Sequence, residues 1–547
     1  MGLKTSRRLS LSEGRNGVMN AKKISLGIVI AIFLTSLWSA SGTFDTPDAM
    51  VRANIAHQIV IQGRLMVTSR GDRINQATFQ TKDGEITSQY GLGQSMFFLP
   101  FDAVASLITN NVRLQPEKAD KVHNFLVSMP VFAVVLILNF WACLQLGIEL
   151  GNDRFMSYLL AFVATFGSSF WQMAKQAQEE VQLSILLLSA LYGFLCWRQE
   201  GTSKFAWLSA GAGAATVIFR LPSFPILLGI TTIYFYEIYQ HIRRNKSGLS
   251  KSFRSYSPLN KLNISKTILP FVILYLGAST VIVGYNFFKT GDLLKTGYAT
   301  SEWFNRDWIT GTIQPILGLD RGIVWTNLWL LPCLLVTCLA WHHLKYELKI
   351  LLILSLFLFS SSIATYATCC WAGGWTYGAR YQVHLVPLLC VTLGSATVNY
   401  IQTSFPRATT QVQRTSLLVG VLLVLLQIPS IAFVHSLELY QVDLADIPAK
   451  DDSQTGTIGQ VKLRCQNFIS KVMTGKPMQF EVIDLEDYTL EDLEKASRWN
   501  FWPWRVQQYL NSTLVTLLKM GWLVLVLGSL ICWVYVGWLL FNPHSHQ

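Results

Sequence analysis

Charge is what this chain has least of. Of 547 residues, 14% are charged and 51% are hydrophobic, whereas a soluble globular protein carries roughly a quarter charged residues. That balance excludes an ordinary aqueous fold. Cysteine is also uninformative: no CxxC or Cys/His spacing is present, and of the nine cysteines only Cys465 sits in a polar segment. The others (Cys143, Cys196, Cys333, Cys338, Cys369, Cys370, Cys390 and Cys532) fall in or at the ends of apolar runs, as small apolar fillers do. No internal repeat is found, so inverted-repeat transporter architecture gains no support. Nor is there an aromatic–basic nucleic-acid motif to go with the net charge of +12.

What is present is a series of long apolar runs. They cover 24–41, 124–146, 155–171, 181–197, 205–219, 221–240, 267–288, 322–341, 350–370, 382–400, 416–436 and 512–540, and each reads as a membrane span. A further stretch, 94–109, would measure roughly 24 Å as a helix against a hydrocarbon core of about 30 Å. It also carries Pro100 and Asp102, and a central Asp costs roughly 2.5–3.5 kcal/mol on insertion scales. Parity decides its reading. If 94–109 does not span, the basic links at 147–154, 198–204, 241–266, 342–349 and 401–415 all face the cytoplasm. The 241–266 link alone holds Arg243, Arg244, Lys246, Lys251, Arg254, Lys261 and Lys266. The positive-inside rule therefore makes 94–109 an interfacial or re-entrant helix on the outer face.

The expected fold is thus an all-α polytopic membrane protein of about twelve transmembrane helices with both termini inside. It comprises a basic cytoplasmic tail (1–23), a transmembrane domain (24–436) whose first outer loop (42–123) holds interfacial helices, an outer soluble segment (437–511), and a last span with its tail (512–547). The basic tail before residue 24 favours an uncleaved first span over a signal peptide cut near Ser39-Ala-Ser-Gly42. Trp499, Trp502 and Trp504 would lead the chain back into the bilayer as an aromatic belt.

Polar clusters collect on the outer side. Asp48, in Thr46-Pro-Asp48, is either the N-cap of a helix over 49–62 or a partly desolvated general base. Glu179 and Glu180, in Gln176-Ala-Gln-Glu-Glu180, are either a solvated loop pair or ligands for a metal or sugar. In Trp371-Ala-Gly-Gly-Trp375-Thr-Tyr377-Gly-Ala-Arg380-Tyr381 the aromatic rings suit a sugar or headgroup, and Arg380 offers a planar fork for phosphate. That density exceeds what an aromatic belt with a snorkelling Arg requires. Arg220, Arg321, Tyr285-Asn286, Lys289, Gly291-Asp292 and Thr296-Gly-Tyr298 are lesser candidates.

Taken in order, these segments resemble the membrane glycosyltransferase C superfamily, in particular the bacterial branch related to protein O-mannosyltransferases and lipid A aminoarabinose transferases. The resemblance spans roughly 24–400. It rests on Asp48 after the first span, Tyr90-Gly-Leu-Gly-Gln94-Ser95 before Leu99-Pro100, and the 179–180 acids. Phe219-Arg220-Leu-Pro222, Tyr285-Asn286 with Gly291 and Thr296-Gly-Tyr298, and Gly373 to Tyr381 complete it. It implies an outer active site, a sugar donor on polyprenyl phosphate, inversion at the anomeric carbon, and the family's first-loop aspartate at Asp48. Glu179 and Glu180 would join Asp48 as catalytic acids. Arg220, Arg380, Tyr381, Trp371, Trp375, Tyr377, Tyr90 and Gln94 would bind substrate. The family's second-loop acid is usually Asp, where this chain has Glu, and a Lys often precedes the Tyr-Gly motif, where this chain has Gln89. Some members bind a divalent metal and others do not; no cofactor is otherwise implied. The acceptor would be a lipid, a glycan or a protein at the cell's inner membrane, and nucleic acid is no partner. The rival readings are a lipid-linked sugar transporter or flippase, and a noncatalytic scaffold of the same fold.

The topology makes a direct prediction. A single cysteine placed at Ser250, in a background lacking the native cysteines, should be shielded from a membrane-impermeant thiol reagent in intact cells and react after lysis. Labelling in intact cells would invert the orientation.

Overall fold

The computed structural model describes residues 14–44, 46–68, 78–112, 115–246, 264–296, 308–318, 322–367, 379–404, 500–507 and 510–541. Helices dominate: α1 (Gly14–Ser39), α2 (Pro47–Gln62), α3 (Gly93–Asn111), α4 (Pro116–Glu149), α5 (Arg154–Phe166), α6 (Ser169–Lys175), α7 (Glu179–Glu200), α8 (Ser203–Phe219) and α9 (Phe224–Lys246). There follow α10 (Ile264–Thr290), α11 (Trp308–Leu317), α12 (Ile323–Thr326), α13 (Leu330–Ala340), α14 (Tyr346–Tyr366), α15 (Val386–Ser404), α16 (Trp502–Val506) and α17 (Ser512–Phe541). A 3₁₀ segment, Arg380–Leu385, leads into α15. The described residues are all-α but for one antiparallel hairpin, β1 (Thr78–Gln80) and β2 (Ile86–Ser88), with Phe79 opposite Thr87.

Among the described residues, seven helices are long and apolar enough to cross a membrane: Lys118–Glu149, Glu179–Glu200, Leu221–Arg243, Ile264–Thr290, Tyr346–Tyr366, Arg380–Ile401 and Ser512–Leu540. The protein is an integral membrane protein. Of the other predicted runs, 24–41, 155–171 and 322–341 correspond to shorter apolar helices, Lys23–Ser39, Arg154–Phe166 and Leu330–His343. The 205–219 run is α8, and 416–436 lies outside the described residues, as does 437–499. Seven of the twelve expected spans therefore meet the length and apolarity of a crossing helix among the described residues. The 94–109 stretch forms α3 and is not among the seven. Apolar side chains along α17, such as Val524, Ile531 and Val534, face outward, which lipid tolerates and water does not.

The chain divides into two compact units, residues 1–40 with 501–547, and residues 41–500. In the first, α1 and α17 pair through polar spots in apolar faces. Thr35 Oγ1 and Ser529 Oγ lie 2.9 Å apart, and the Trp533 and Trp522 indoles donate to Thr35 Oγ1 (3.0 Å) and the Trp38 carbonyl (2.7 Å). Hydrogen bonds of this kind hold helices together where hydrophobic driving force is weak.

In the second unit, α7 is the central post. Its apolar length (Leu183, Leu187, Leu188, Leu191 and Phe194) is buried on nearly every side. Charge gathers at both ends. At the C-terminal end Arg198 pairs with Glu237 of α9 (3.3 Å) and Glu347 of α14 (2.5 Å), fixing three helices together. The N-terminal end carries Glu179 and Glu180. The 22 residues of α7 extend about 33 Å, so each charge cluster sits at its own end of the helix.

The Tyr90-Gly-Leu-Gly segment runs hard against the end of α8. A Cβ on Gly91 would lie 2.4 Å from the Ile218 carbonyl oxygen, and one on Gly93 would lie 2.4 Å from the Phe219 ring. Only glycine permits that approach. Gly91→Ala should therefore destabilise the protein by about 1–3 kcal/mol and lower its unfolding midpoint in detergent. Gly277→Ala, where an added Cβ meets nothing within 4 Å, should leave the midpoint unchanged or raise it.

Candidate functional site

Helix α2 begins with Thr46 as its N-cap: the Thr46 hydroxyl accepts from the Ala49 amide at 3.2 Å, and Pro47 occupies the first turn. This corrects the N-cap reading of Asp48. The capping group is Thr46, which frees the Asp48 carboxylate for other work. Its Oδ1 accepts from the Tyr90 hydroxyl at 2.9 Å, and its Oδ2 accepts from Arg380 Nη2 at 2.5 Å.

One turn further along α2, on the same face, stands Arg52, which is wholly buried. Its Nη2 donates to Glu179 Oε2 at 2.6 Å and its Nη1 to Gln94 Oε1 at 2.7 Å. Its guanidinium also lies 4.3 Å from the centre of the Tyr90 ring, a cation–π distance. Gln94 in turn donates to the Ala177 carbonyl at 2.6 Å. Gln94 is thus enclosed and positions Arg52.

The two glutamates open α7, where the helix N-terminus favours anions. Ala177, just before them, has a left-handed backbone (φ 51°), the strained turn that aims them inward. They are not a solvated loop pair: both are fully buried. Glu179 Oε1 lies 3.2 Å from Arg220 Nη1. Glu180 Oε1 accepts from Arg220 Nη1 in a short hydrogen bond and from Arg380 Nε at 3.1 Å. Arg220 sits at the turn between α8 and α9, with its guanidinium 5.1 Å from the Tyr366 ring and 4.6 Å from the Tyr381 ring. Those two rings stack on each other, 3.9 Å between centroids and nearly parallel.

The contacts close into a ring: Asp48, Arg380, Glu180, Arg220, Glu179, Arg52, Tyr90 and back to Asp48. Three carboxylates and three guanidiniums alternate around it. Burial by itself would raise the Asp48 pKa. The charges of Arg380 and Arg52, with the hydrogen bonds from Arg380 and Tyr90, outweigh burial and hold it below the ordinary aspartate range. Burial, together with the Asp48 charge, pushes the Tyr90 phenol upward, so it stays a donor.

Two crevices flank the ring. One, with about 340 Å³ of empty space, is lined by Glu180, Arg220, Ser223, Tyr366, Tyr381 and His384. The other, about 390 Å³, runs between Tyr90, Tyr285, Asn286 and Lys289. There the Lys289 ammonium donates to the Gln89 and Thr296 carbonyls at 3.2 and 2.9 Å. Just before the two glutamates in sequence, the side-chain amides of Gln172, Gln176 and Gln178 are buried with no hydrogen-bond partner among the described residues.

Of the residues expected from sequence, Asp48, Tyr90, Gln94, Glu179, Glu180, Arg220, Arg380 and Tyr381 come together here. Trp371, Trp375 and Tyr377 lie outside the described residues, as does Arg321. Sequence reasoning passed over Arg52, although its spacing of four from Asp48 on one helix was the available signal. Tyr366, inside an apolar run, gave none.

No family model matches this sequence, and no curated protein does. Among solved structures the chain is similar to ArnT from Cupriavidus metallidurans in the apo state, at 10% identity over 83% of this chain and 75% of that one, with a TM-score of 0.44. It is likewise similar to the same protein bound to undecaprenyl phosphate, at 10% identity over 81% and 74%, with a TM-score of 0.39. At such identity and scores, what this chain does is read from its own residues.

The ring predicts its own fragility. Removing one member of a buried ion network strands its partners, which costs about 3–5 kcal/mol. Arg52→Ala, which leaves Glu179 with half its pairing, should lower stability by that amount in denaturant or thermal unfolding of the detergent-solubilised protein. A loss below about 1 kcal/mol would match an exposed pair instead.

Proposed function

We propose that this chain is a membrane glycosyltransferase that moves a sugar from a polyprenyl-phosphate donor to an acceptor hydroxyl on the outer face of the cell's inner membrane, with inversion. The observation that carries the reading is the buried ring that pairs Asp48 with Arg380 and links it through Glu180 and Glu179 to Arg220 and Arg52. A sugar on a lipid phosphate brings the two things such a ring answers: a phosphate leaving group and a hydroxyl that must lose a proton.

In this reading the donor phosphate draws the Arg380 fork, whose planar donors suit phosphate oxygens, and Arg220 shares the charge. The acceptor oxygen attacks the anomeric carbon from the side opposite the phosphate. The carbon–oxygen bond to phosphate breaks, and its electron pair leaves with the polyprenyl phosphate. Asp48 takes the acceptor proton. Arg380 links the two events. While it pairs with Asp48 it holds that carboxylate's proton affinity down; once it turns to the phosphate, the affinity rises. Donor binding thereby arms the base, and the guanidiniums stabilise the charge that develops on the leaving group. Tyr90 keeps Asp48 oriented throughout. The stacked Tyr366–Tyr381 pair beside Arg220 gives a flat wall against which a sugar ring can lie.

Mass spectrometry of lipid-linked sugars and surface glycans from a deletion strain tests the reading. One sugar should vanish from its acceptor and its polyprenyl donor should accumulate, with wild type restoring both. Asp48→Asn should fail to restore them, with transfer reduced at least about 10²-fold while the protein remains in the membrane. Full complementation by Asp48→Asn would demote Asp48 to a structural anion and favour a transporter or scaffold.

A further inference from the structure

Apart from the ring and the Arg198–Glu237–Glu347 cluster, the described residues hold one group of histidine and carboxylate side chains close enough to share a metal ion. His57 on α2, Asp102 on α3 and His123 on α4 converge so that one ligand atom from each lies within 4.8 Å of the others. His57 Nδ1 is 3.1 Å from Asp102 Oδ1, and His123 Nε2 is 2.7 Å from Asp102 Oδ2. The two imidazoles meet edge to face with centroids 4.4 Å apart, so their nitrogens address one carboxylate from two sides. Asp102 sits mid-helix on α3, whose Phe98 and Ala105 belong to an apolar core, and is itself buried. An isolated carboxylate there is costly, and among the described residues its ion partners are these two histidines. Ser106, one turn on, donates to Asp102 Oδ1 at 3.2 Å and fixes the carboxylate's orientation.

We propose that His57, Asp102 and His123 bind one divalent cation of the zinc type, joining α2, α3 and α4. The donor set decides the class. Two imidazoles and one carboxylate suit Zn²⁺ and its neighbours, whereas Mg²⁺ and Ca²⁺ prefer oxygen alone. With ligand bonds of about 2.0–2.2 Å, neighbouring donors of a tetrahedral site stand roughly 3.3–3.5 Å apart, so the 2.7 and 3.1 Å contacts, made to the two oxygens of Asp102, need to open by about 0.2–0.8 Å, and the widest donor pair, within 4.8 Å, needs to close by up to about 1.5 Å. Ser106 supplies the outer hydrogen bond such sites use to hold a ligand. His57 is a third exposed, which leaves an entry path and room for water in a fourth position.

The site is distinct from the ring. His57 stands nine residues beyond Asp48 on α2, about 13.5 Å along the helix axis. The cation therefore clamps in place the helix that carries Asp48 and Arg52, and it takes no part in the chemistry proposed above.

The test uses the full-length protein in detergent, stripped with chelator, loaded with ZnCl₂ and desalted, with bound zinc counted by inductively coupled plasma mass spectrometry. Wild type should retain one more zinc ion per chain than Asp102→Asn. His57→Gln and His123→Gln should each weaken that binding at least about tenfold, and MgCl₂ should not compete. Cobalt loading of wild type alone should give the visible bands of a tetrahedral nitrogen–oxygen site, a readout independent of how well the variants fold. Zinc retention equal in wild type and Asp102→Asn, or cobalt spectra showing only the hexa-aqua ion, would overturn the proposal and leave a hydrogen-bonded triad.

Discussion

The arrangement of residues 41–500 around the site depends on one constraint: three carboxylates and three guanidiniums are buried together and have to neutralise one another. In a low-dielectric interior no member can be left unpaired without a large penalty. The alternation of sign around Asp48, Arg380, Glu180, Arg220, Glu179 and Arg52 meets that constraint. A buried ion network of this kind is rarely the most stable way to fill space; well-packed apolar side chains would serve as well or better. Its presence at the end of an otherwise apolar post argues for use, since perturbed ionisable groups collect where chemistry is done.

The fold delivers the ring from segments far apart in sequence. α2 supplies Asp48 and Arg52, and the glycine-rich Tyr90 loop, pressed against the end of α8, supplies the phenol. α7 supplies both glutamates from its first turn, and two inter-helix turns supply Arg220 and Arg380. A shift of any one segment would break the alternation. The Arg198–Glu237–Glu347 cluster secures α7, α9 and α14 at the far end, and the His57–Asp102–His123 group secures α2 near the ring. The site therefore sits on anchored elements, with Arg380 bridging Asp48 and Glu180.

Much of this was legible in the residues. Scarcity of charge and long apolar runs require a helical membrane protein, because backbone groups in hydrocarbon must be satisfied within the segment. Pro100 and Asp102 marked 94–109 as different from its neighbours, and it forms a helix, α3, with Asp102 buried in it. Asp48, the 179–180 acids, Arg220 and Arg380 stood out as polar residues at the edges of apolar runs. Their partners were far harder to see. The N-cap reading of Asp48 failed because capping depends on which side chain, Thr46 or Asp48, meets the free amides, and both are good caps by type. The solvated reading of Glu179 and Glu180 failed because exposure is set by neighbours 40 to 200 positions away. Tyr366 looked like any aromatic in a span until Tyr381 stacked on it.

The sequence by itself determined the solvent of this protein, the helices that solvent demands, and the short list of polar residues worth explaining. Those follow from local composition and periodicity, which each segment carries alone. Which arginine neutralises which acid, and that two histidines converge on a buried aspartate, were decided only by tertiary structure. Charge pairing acts through space over a few ångströms, and the chain distances it bridges leave no trace in any local window.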